Sequence, residues 1–480
     1  MKKILGVVIG LLITHFTYSQ PGTWVRSLAL TQYNYPASVW ELNGNKYMVC
    51  GTCGSDLQKS SHCFMVVDSL GHIIQSDLFG GQDYIEYNKS TYLDKSDSSY
   101  LVIGLTDKGL QFDYDLQVTK YSKQMQRLWS IQLGHSAWDS GLFIEGVGDG
   151  YILAGYLGDT LTNNTNAYLA KIDLTGNLIW ERELDWGKNE EWKCVKKLSD
   201  GSLMAIGKKE YQNGRYAELL GKFTLTGDTL WTDTFMIKSN TFGTYLEEIS
   251  DNQLLVTANA EIPTDTGIKY YSLIQKFDMN GNMIWHWEYD NFTANMVKEM
   301  ADGYLISVGG NLSNLDFFEF ESLTFRMYSN GWFSNTGTVG KEGWQEAIYM
   351  QTIKNGNGLI VLANNTRENP ELHNMLLYKT DSIGAFIELN DSAFISIGKD
   401  PDLADKYEIF PNPSQGKILI RSTSNANTSY TLIDQLGKIF FQGNFDKKEI
   451  IDLENLENGI YSIQLQTEGK SFSRRIVKTD

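Results

Sequence analysis

The chain has 480 residues and a formal net charge of −17, with 42% hydrophobic, 21% charged and 12% aromatic residues. That composition excludes a disordered chain, and the length allows about two to four domains. The acidic balance excludes a nucleic-acid binder, because nothing would neutralise phosphate.

Lys2 and Lys3 precede an apolar run from Ile4 to Ile13, and Thr17-Tyr18-Ser19 sets small residues before Gln20. The run is too short to cross the ~30 Å core of a bilayer as a helix, and Thr14 and His15 interrupt it. Residues 1–19 therefore read as a secretory signal peptide cut between Ser19 and Gln20. No later stretch is apolar for long enough to span a membrane, so no transmembrane segment is expected in the mature chain.

A repeat follows. Asp173-Leu174-Thr175-Gly176-Asn177-Leu178-Ile179-Trp180 recurs as Asp278-Met279-Asn280-Gly281-Asn282-Met283-Ile284-Trp285. Looser copies end at positions 75, 129, 231, 335 and 388, and the seven ends lie 50 to 54 residues apart. A second marker keeps the same beat. Asn45, Ser98, Asp149, Asp200, Asp251, Asp302 and Asn357 each open a turn before an apolar run, as in Asp200-Gly201-Ser202-Leu203-Met204-Ala205-Ile206-Gly207. Asp-Gly and Asn-Gly between apolar runs mark hairpins, since these residues accept positive φ cheaply. Seven modules of four short strands predict a seven-bladed β-propeller over residues 20–393, with the recurrent Trp packed between blades. Trp24-Val25-Arg26-Ser27-Leu28 resembles Trp180-Glu181-Arg182-Glu183-Leu184. The N-terminal strand thus reads as a spare outer strand placed to complete the last blade.

Local catalytic motifs are absent: there is no H-E-x-x-H, no G-x-S-x-G and no phosphate-binding glycine loop. A propeller can still assemble a site from separate blades. Glu247, Glu248 and Glu299, on expected inner strands, are the first suspects for acid–base chemistry at the central channel. The loops joining blades hold Tyr33, Tyr35, Tyr84, Tyr87, Trp138, Trp192, Phe242, Tyr245, Phe292 and Trp344. Of these, Trp138, Trp192, Tyr245 and Trp344 form the candidate binding face, where exposed rings would stack on sugars or peptide side chains. Packing between loops is the plainer alternative. Cys50, Cys53, His62 and Cys63 permit a zinc site, a Cys53–Cys63 disulfide or free thiols; export favours the disulfide, and no metal is expected. One Asp per turn falls short of a calcium loop.

The Asp-x-x-Gly-x-x-x-Trp turn resembles the tryptophan motifs of pyrroloquinoline-quinone dehydrogenases. Those repeats are shorter, and this chain lacks the vicinal cysteine pair many of them carry, so no cofactor is expected.

Three of the seven prolines fall between 401 and 413, marking a linker at 394–405. Residues from Lys406 on carry 10 basic and 9 acidic side chains, so the negative charge resides upstream. Short strands here suit a small immunoglobulin-like β-sandwich over 406–480. Tyr407-Glu408-Ile409-Phe410-Pro411-Asn412-Pro413 with Gly416 resembles the opening of the C-terminal sorting domain of type IX secretion in Bacteroidetes. The resemblance continues through Gly437-Lys438, Gly459-Ile460-Tyr461 and the basic tail Arg474-Arg475-Ile476-Val477-Lys478. It implies handling by the type IX machinery, passage across the outer membrane, removal of this domain, and display or release of the remainder. The propeller half resembles secreted repeat proteins of the same bacteria.

These readings converge on a secreted or surface-displayed propeller that binds a glycan or a protein partner. Two alternatives stand beside it: a polysaccharide hydrolase or lyase with channel carboxylates, and a structural surface-layer component.

Overall fold

The computed structural model describes residues 23–384 and 407–479, apart from 57–58, 80–84, 108–113, 136–137, 212–213, 266, 315–318, 340–343, 354–357, 367–372, 382–383, 413, 424–426, 435–438 and 468–469. The expected signal peptide with Ser19 and Gln20, the linker 394–405, and Tyr84, Pro413, Gly437 and Lys438 lie outside the described residues. The chain divides into two compact units, 1–391 and 392–480.

The first unit is a β-propeller. Its 28 described strands fall into seven antiparallel groups of four, spanning 33–79, 85–133, 140–184, 190–235, 240–290, 292–339, and 347–379 with 24–28. We call these sheets one to seven. Sheets one and two are joined by a single parallel pair, Ser60 with Ile85. The turn closing each first hairpin contains a positive-φ residue: Asn45, Ser98, Gly148, Gly201, Asn252, Gly303 or Gly358. The first strand of each sheet packs against the first strands of its neighbours, and that of sheet seven returns to that of sheet one.

Sheet seven takes its outermost strand from the start of the chain. Trp24–Leu28 pairs antiparallel with Asn374–Lys379, in register from Trp24 with Lys379 to Leu28 with Met375. The contact this strand makes with sheet one repeats the contact between interior sheets. Trp180, on the outer strand of sheet three, lies over Gly227 in the next sheet's last turn, and Trp24 lies over Gly71. A Cβ on Gly227 would sit 2.7 Å from Trp180, and one on Gly71 2.6 Å from Trp24. Both glycines also hold positive φ, at 84° and 82°. Trp180 Nε1 donates to Leu225 O at 3.2 Å, and Trp24 Nε1 to Ser69 O at 2.7 Å. Arg182 and Arg26 cover the two indoles at 5.6 and 5.9 Å. Trp129 over Gly176 and Trp231 over Gly281 continue the series; Gly331 is met first by Trp287 with Trp285 behind it, and Gly384 by Ile306 and Thr324. Where the turn carries Met125 instead of glycine, the preceding outer strand carries Gln75 instead of Trp.

Every first strand has a β-bulge at the same place, with Ala37, Lys89, Leu142, Lys193, Thr244, Asn295 and Ile348 as the extra residues. A bulge opposes two residues to one and pushes a backbone carbonyl toward the partner strand. The partner residue is Gly51, Gly104, Gly155, Gly207 or Gly309 in five sheets, and Ala258 or Ala363 in the other two. A Cβ on Gly207 would overlap the carbonyl oxygen of Glu191. The bulge therefore leaves no room for a side chain at Gly207, while Ala258 and Ala363 show that its form in sheets five and seven admits a methyl group.

The second unit is built from two antiparallel sheets. One holds Tyr407–Phe410, Lys417–Ser422 and Lys448–Asp452; the other orders Ile439–Phe445, Thr428–Asp434, Gly459–Thr467 and Lys470–Lys478. Tyr407, Ile409, Ile418, Ile420 and Ile451 from the first share a core with Leu432, Phe445, Tyr461, Ile463, Leu465 and Ile476 from the second. The peptide bond Phe410–Pro411 is cis. The turn after it holds the chain's end: Ser414 bridges to Lys478, and Thr479 N–H donates to Ser414 O at 2.9 Å.

Candidate functional site

The bulge decides which side chains of the first strands face the ring's interior. Alternation along a strand has period two, and the extra residue resets it. Accessible side chains consequently stand two residues before the bulge, at the bulge, and three residues after it, with Ser140 and Ala37 as buried exceptions, while those between are mostly buried. These positions form three interior layers.

The layer past the bulge is Trp40, Tyr92, Glu145, Lys196, Glu247, Lys298 and Gln351. Acid and base alternate over four successive sheets. Lys196 Nζ lies 3.2 Å from Glu145, and Lys298 Nζ donates to both Glu247 oxygens at 2.9 Å. Tyr245 donates its hydroxyl to Glu247. The Lys196 ammonium also lies over the rings of Phe143 and Tyr245, at 5.0 and 5.4 Å. Trp40 meets Tyr92 and Tyr349 at 6.3 and 6.0 Å between ring centres. Burial alone would lower the Lys196 pKa, but Glu145 and Glu247 more than offset it and hold the ammonium well above the usual lysine range. Burial likewise opposes ionisation of Glu247, and Lys298 and Lys196 overcome it, so its carboxyl titrates below the ordinary range. Aromatic rings and paired charges thus fill this half of the interior.

On the other side of the bulge, Tyr35, Tyr87, Glu191, Phe242, Thr293 and Glu346 form an accessible rim. Tyr35 packs against Tyr87 and His373, at 6.4 and 4.9 Å. Glu191 pairs with Lys208 at 3.3 Å, and that ammonium lies over Tyr216 and Phe242 at 5.2 and 5.9 Å. Glu346 accepts from Thr293, Asn295 and Trp344 at 2.7, 2.9 and 3.2 Å. At the bulge itself, Lys89 and Lys193 are exposed. Although the Lys89 side chain reaches solvent, the protein enclosing it lowers its pKa most, the charge of Lys193 adds to that, and Glu191 opposes it. Because these lysines belong to sheets two and four, which are not neighbours, that coupling runs across the interior.

The residues singled out from sequence are dispersed. Trp138 and Trp344 are 48% and 44% exposed and flank this rim. Trp192 is fully buried, edge-on to Phe223 at 5.6 Å, and Tyr245 is 4% exposed among the interior pairs. Neither presents a ring to solvent, because each stands next to the bulge on the inward-packed parity. Glu248 and Glu299 do not converge on the interior; they cap neighbouring turns through Ser199 N and Ser250 N, each at 2.7 Å. Glu247 is on the axis but is bound to Lys298. Cys53 and Cys63 are joined by a disulfide, while Cys50 and Cys194 are buried thiols whose pKa values burial pushes up to about 12. His62 faces Tyr121 Oη through Nδ1 at 2.9 Å. No cluster suited to a metal ion occurs among the described residues. The residues that sequence reasoning missed are Lys89 and Lys193. Their signal was there: they lie two repeats apart at the same phase of the period.

In the second unit, Gly416 O accepts from Leu453 N at 2.6 Å, and Tyr461 Oη donates to Glu457 O at 2.8 Å. These are two of the positions that carry the sorting-domain resemblance, with Pro411, Asn412 and Gly459 beside them.

Residues 408–479 match the family model of the secretion system C-terminal sorting domain. The chain therefore carries a type IX sorting domain at its C-terminus, which implies secretion by that system and attachment at the cell surface. No curated protein matches the chain. Among solved structures it is similar to a puromycin hydrolase S511A mutant, at 10% identity and a TM-score of 0.49, covering 81% of this chain and 58% of that one. It is also similar to the polysaccharide lyase Uly1, at 9% identity and a TM-score of 0.45 over 77% and 94% of the two chains. A third is the β-propeller domain of the Trilobed protease from Pyrococcus furiosus, at 8% identity and a TM-score of 0.39 over 77% and 100%. The chain spans less than two thirds of the hydrolase, and these scores are too low to bear on function.

Proposed function

We propose that residues 1–19 direct export and are cut before Gln20, and that the seven sheets are the blades of one closed seven-bladed propeller over 20–393. Residues 394–405 link it to an immunoglobulin-like sorting sandwich at 406–480. The propeller is a surface-displayed binding module, and its ligand, a glycan or a protein partner, is taken at the rim around Tyr35, Tyr87, Lys89, Lys193 and Phe242. One observation carries this reading. Charges on the far side of the bulges are all tied into ion pairs or capped turns, whereas the rim offers half-buried rings and two lysines without an ion-pair partner among the described residues. Rings with accessible faces beside fixed polar groups are the usual make-up of a recognition surface.

Binding of the full chain to a panel of polysaccharides and secreted proteins tests the reading, with mass spectrometry of any products. Saturable binding without products, weakened by Tyr87→Ala, is the expected result. Released oligosaccharides would instead establish an enzyme, and indifference of binding to Tyr87→Ala would move the site elsewhere.

A further inference from the structure

The two interior lysines specify the ligand's charge. Lys89 and Lys193 occupy the extra position of the bulge in sheets two and four, and both are exposed there. The equivalent positions in the other sheets are neutral: Ala37, Leu142, Thr244, Asn295 and Ile348. Neither ammonium has an ion-pair partner among the described residues. The acids nearest in the layout are already engaged, Glu191 with Lys208 and Glu346 with three neutral donors. Lys120, Lys171, Lys222 and Lys276, at the ends of their sheets' hairpins, all reach an aspartate, whereas the two lysines at the bulges do not. Like charges brought toward one another across a confined space repel. The Lys89 pKa is lowered first by the protein around it and second by the charge of Lys193, with Glu191 opposing. An anion placed between them would relieve the repulsion that remains.

The surroundings indicate what carries the anion. Lys89 lies 5.6 Å from the ring centre of Tyr87, whose neighbour is Tyr35, and Phe242 and Tyr216 stand on the opposite arc. A pyranose ring offers an apolar face to an aromatic ring while its edge substituent reaches a cation.

We propose that this rim binds an anionic polysaccharide, seating a carboxylate or sulfate between Lys89 and Lys193 while sugar rings stack on Tyr35 and Tyr87. This rests on the rim being the ligand site. The test is titration of the full chain with hexagalacturonate, a sulfated galactan oligosaccharide, neutral maltohexaose and polyglutamate at low and at physiological salt. Binding of one or both anionic sugars is expected, weakening as salt rises. Lys89→Gln and Lys193→Gln should each reduce affinity about tenfold, in line with the loss of one charge-assisted contact of about 1.4 kcal/mol. Lys123→Gln, the same charge change at an exposed turn, should leave it unaltered. Galacturonate or galactan preference identifies a carboxylate or a sulfate as the group held. Tight binding of maltohexaose that Tyr87→Ala abolishes and the lysine changes spare would overturn the anionic inference and keep the rim. Binding of the anionic sugars that none of these substitutions alters would overturn both, and preference for polyglutamate would overturn the glycan.

Discussion

The two halves of the propeller's interior treat charge in opposite ways. Past the bulges, Glu145, Lys196, Glu247 and Lys298 alternate around four sheets and are bound to one another among aromatic rings. At the bulges, Lys89 and Lys193 are exposed and neither forms an ion pair among the described residues. Both halves come from the same seven strands, so the difference is not one of fold. It separates side chains that hold the ring together from side chains left available.

The largest expected effect comes from opening the ring. Trp24 is 4% exposed and repeats at the seam the contact that Trp180 makes inside the chain. Trp24→Ala should cost about 3–5 kcal/mol in urea unfolding, as for other buried tryptophans. Both halves should loosen together, and a cost near zero would mean the seam does not close the ring. Next comes the filled half. Lys196→Ala leaves Glu145 without its partner and should lower stability by about 3 kcal/mol. Glu145→Gln with Lys196→Met should recover most of that loss, because the double change removes both charges. If Lys196→Ala were neutral, the contrast between the halves would lose its structural side.

Much of this was legible in the sequence, and the exceptions have one cause. The period, the hairpin turns and the spare N-terminal strand are written in side chains: Gly227, Trp180 and Trp24 are where steric need admits few residues. The bulge is a backbone event, and its extra residue is Ala, Lys, Leu, Lys, Thr, Asn or Ile, with no common chemistry. What it leaves in the sequence is a glycine on the neighbouring strand, such as Gly207, which reads as a strand glycine until the carbonyl of Glu191 is seen against it. Without the bulge, parity is miscounted. Trp192 and Tyr245 then appear to face outward, and Lys89 and Lys193 pass as ordinary surface lysines. The cysteines were simpler, since a ten-residue hairpin brings Cys53 to Cys63 with a Cα separation of 5.7 Å.

A pH-dependent effect gives the scale of a buried charge away from the axis. Glu218 lies between sheets four and five, accepts from Gln275 Nε2 at 2.6 Å through Oε2, and has no partner at Oε1 among the described residues. Burial pushes its pKa from 4.5 up to about 8, with the Gln275 bond opposing. The folded state therefore holds this proton more tightly than the unfolded chain. Its contribution is complete below about 4.5 and is lost as pH rises through about 8. Glu218→Gln should flatten the fall in melting temperature between those limits, and an unchanged pH profile would show that the carboxyl is not the group titrating.

The smallest effect distinguishes the halves most directly. If Lys89 and Lys193 served the fold, their removal would cost stability as that of Lys196 does. If they are held in readiness for an anion, removing one relieves repulsion, and Lys193→Gln should raise stability by a few tenths of a kcal/mol. The gain should be greatest in low salt and fade as the ionic strength passes ~0.15 M, where charges more than about 8 Å apart are screened. Melting of wild type and Lys193→Gln across a salt series measures it, with Lys196→Ala as the opposing control. A stabilised variant that binds anionic sugars more weakly would locate in one side chain the trade between a quieter fold and a ligand. A destabilised one would return Lys193 to the structural half and erase the contrast.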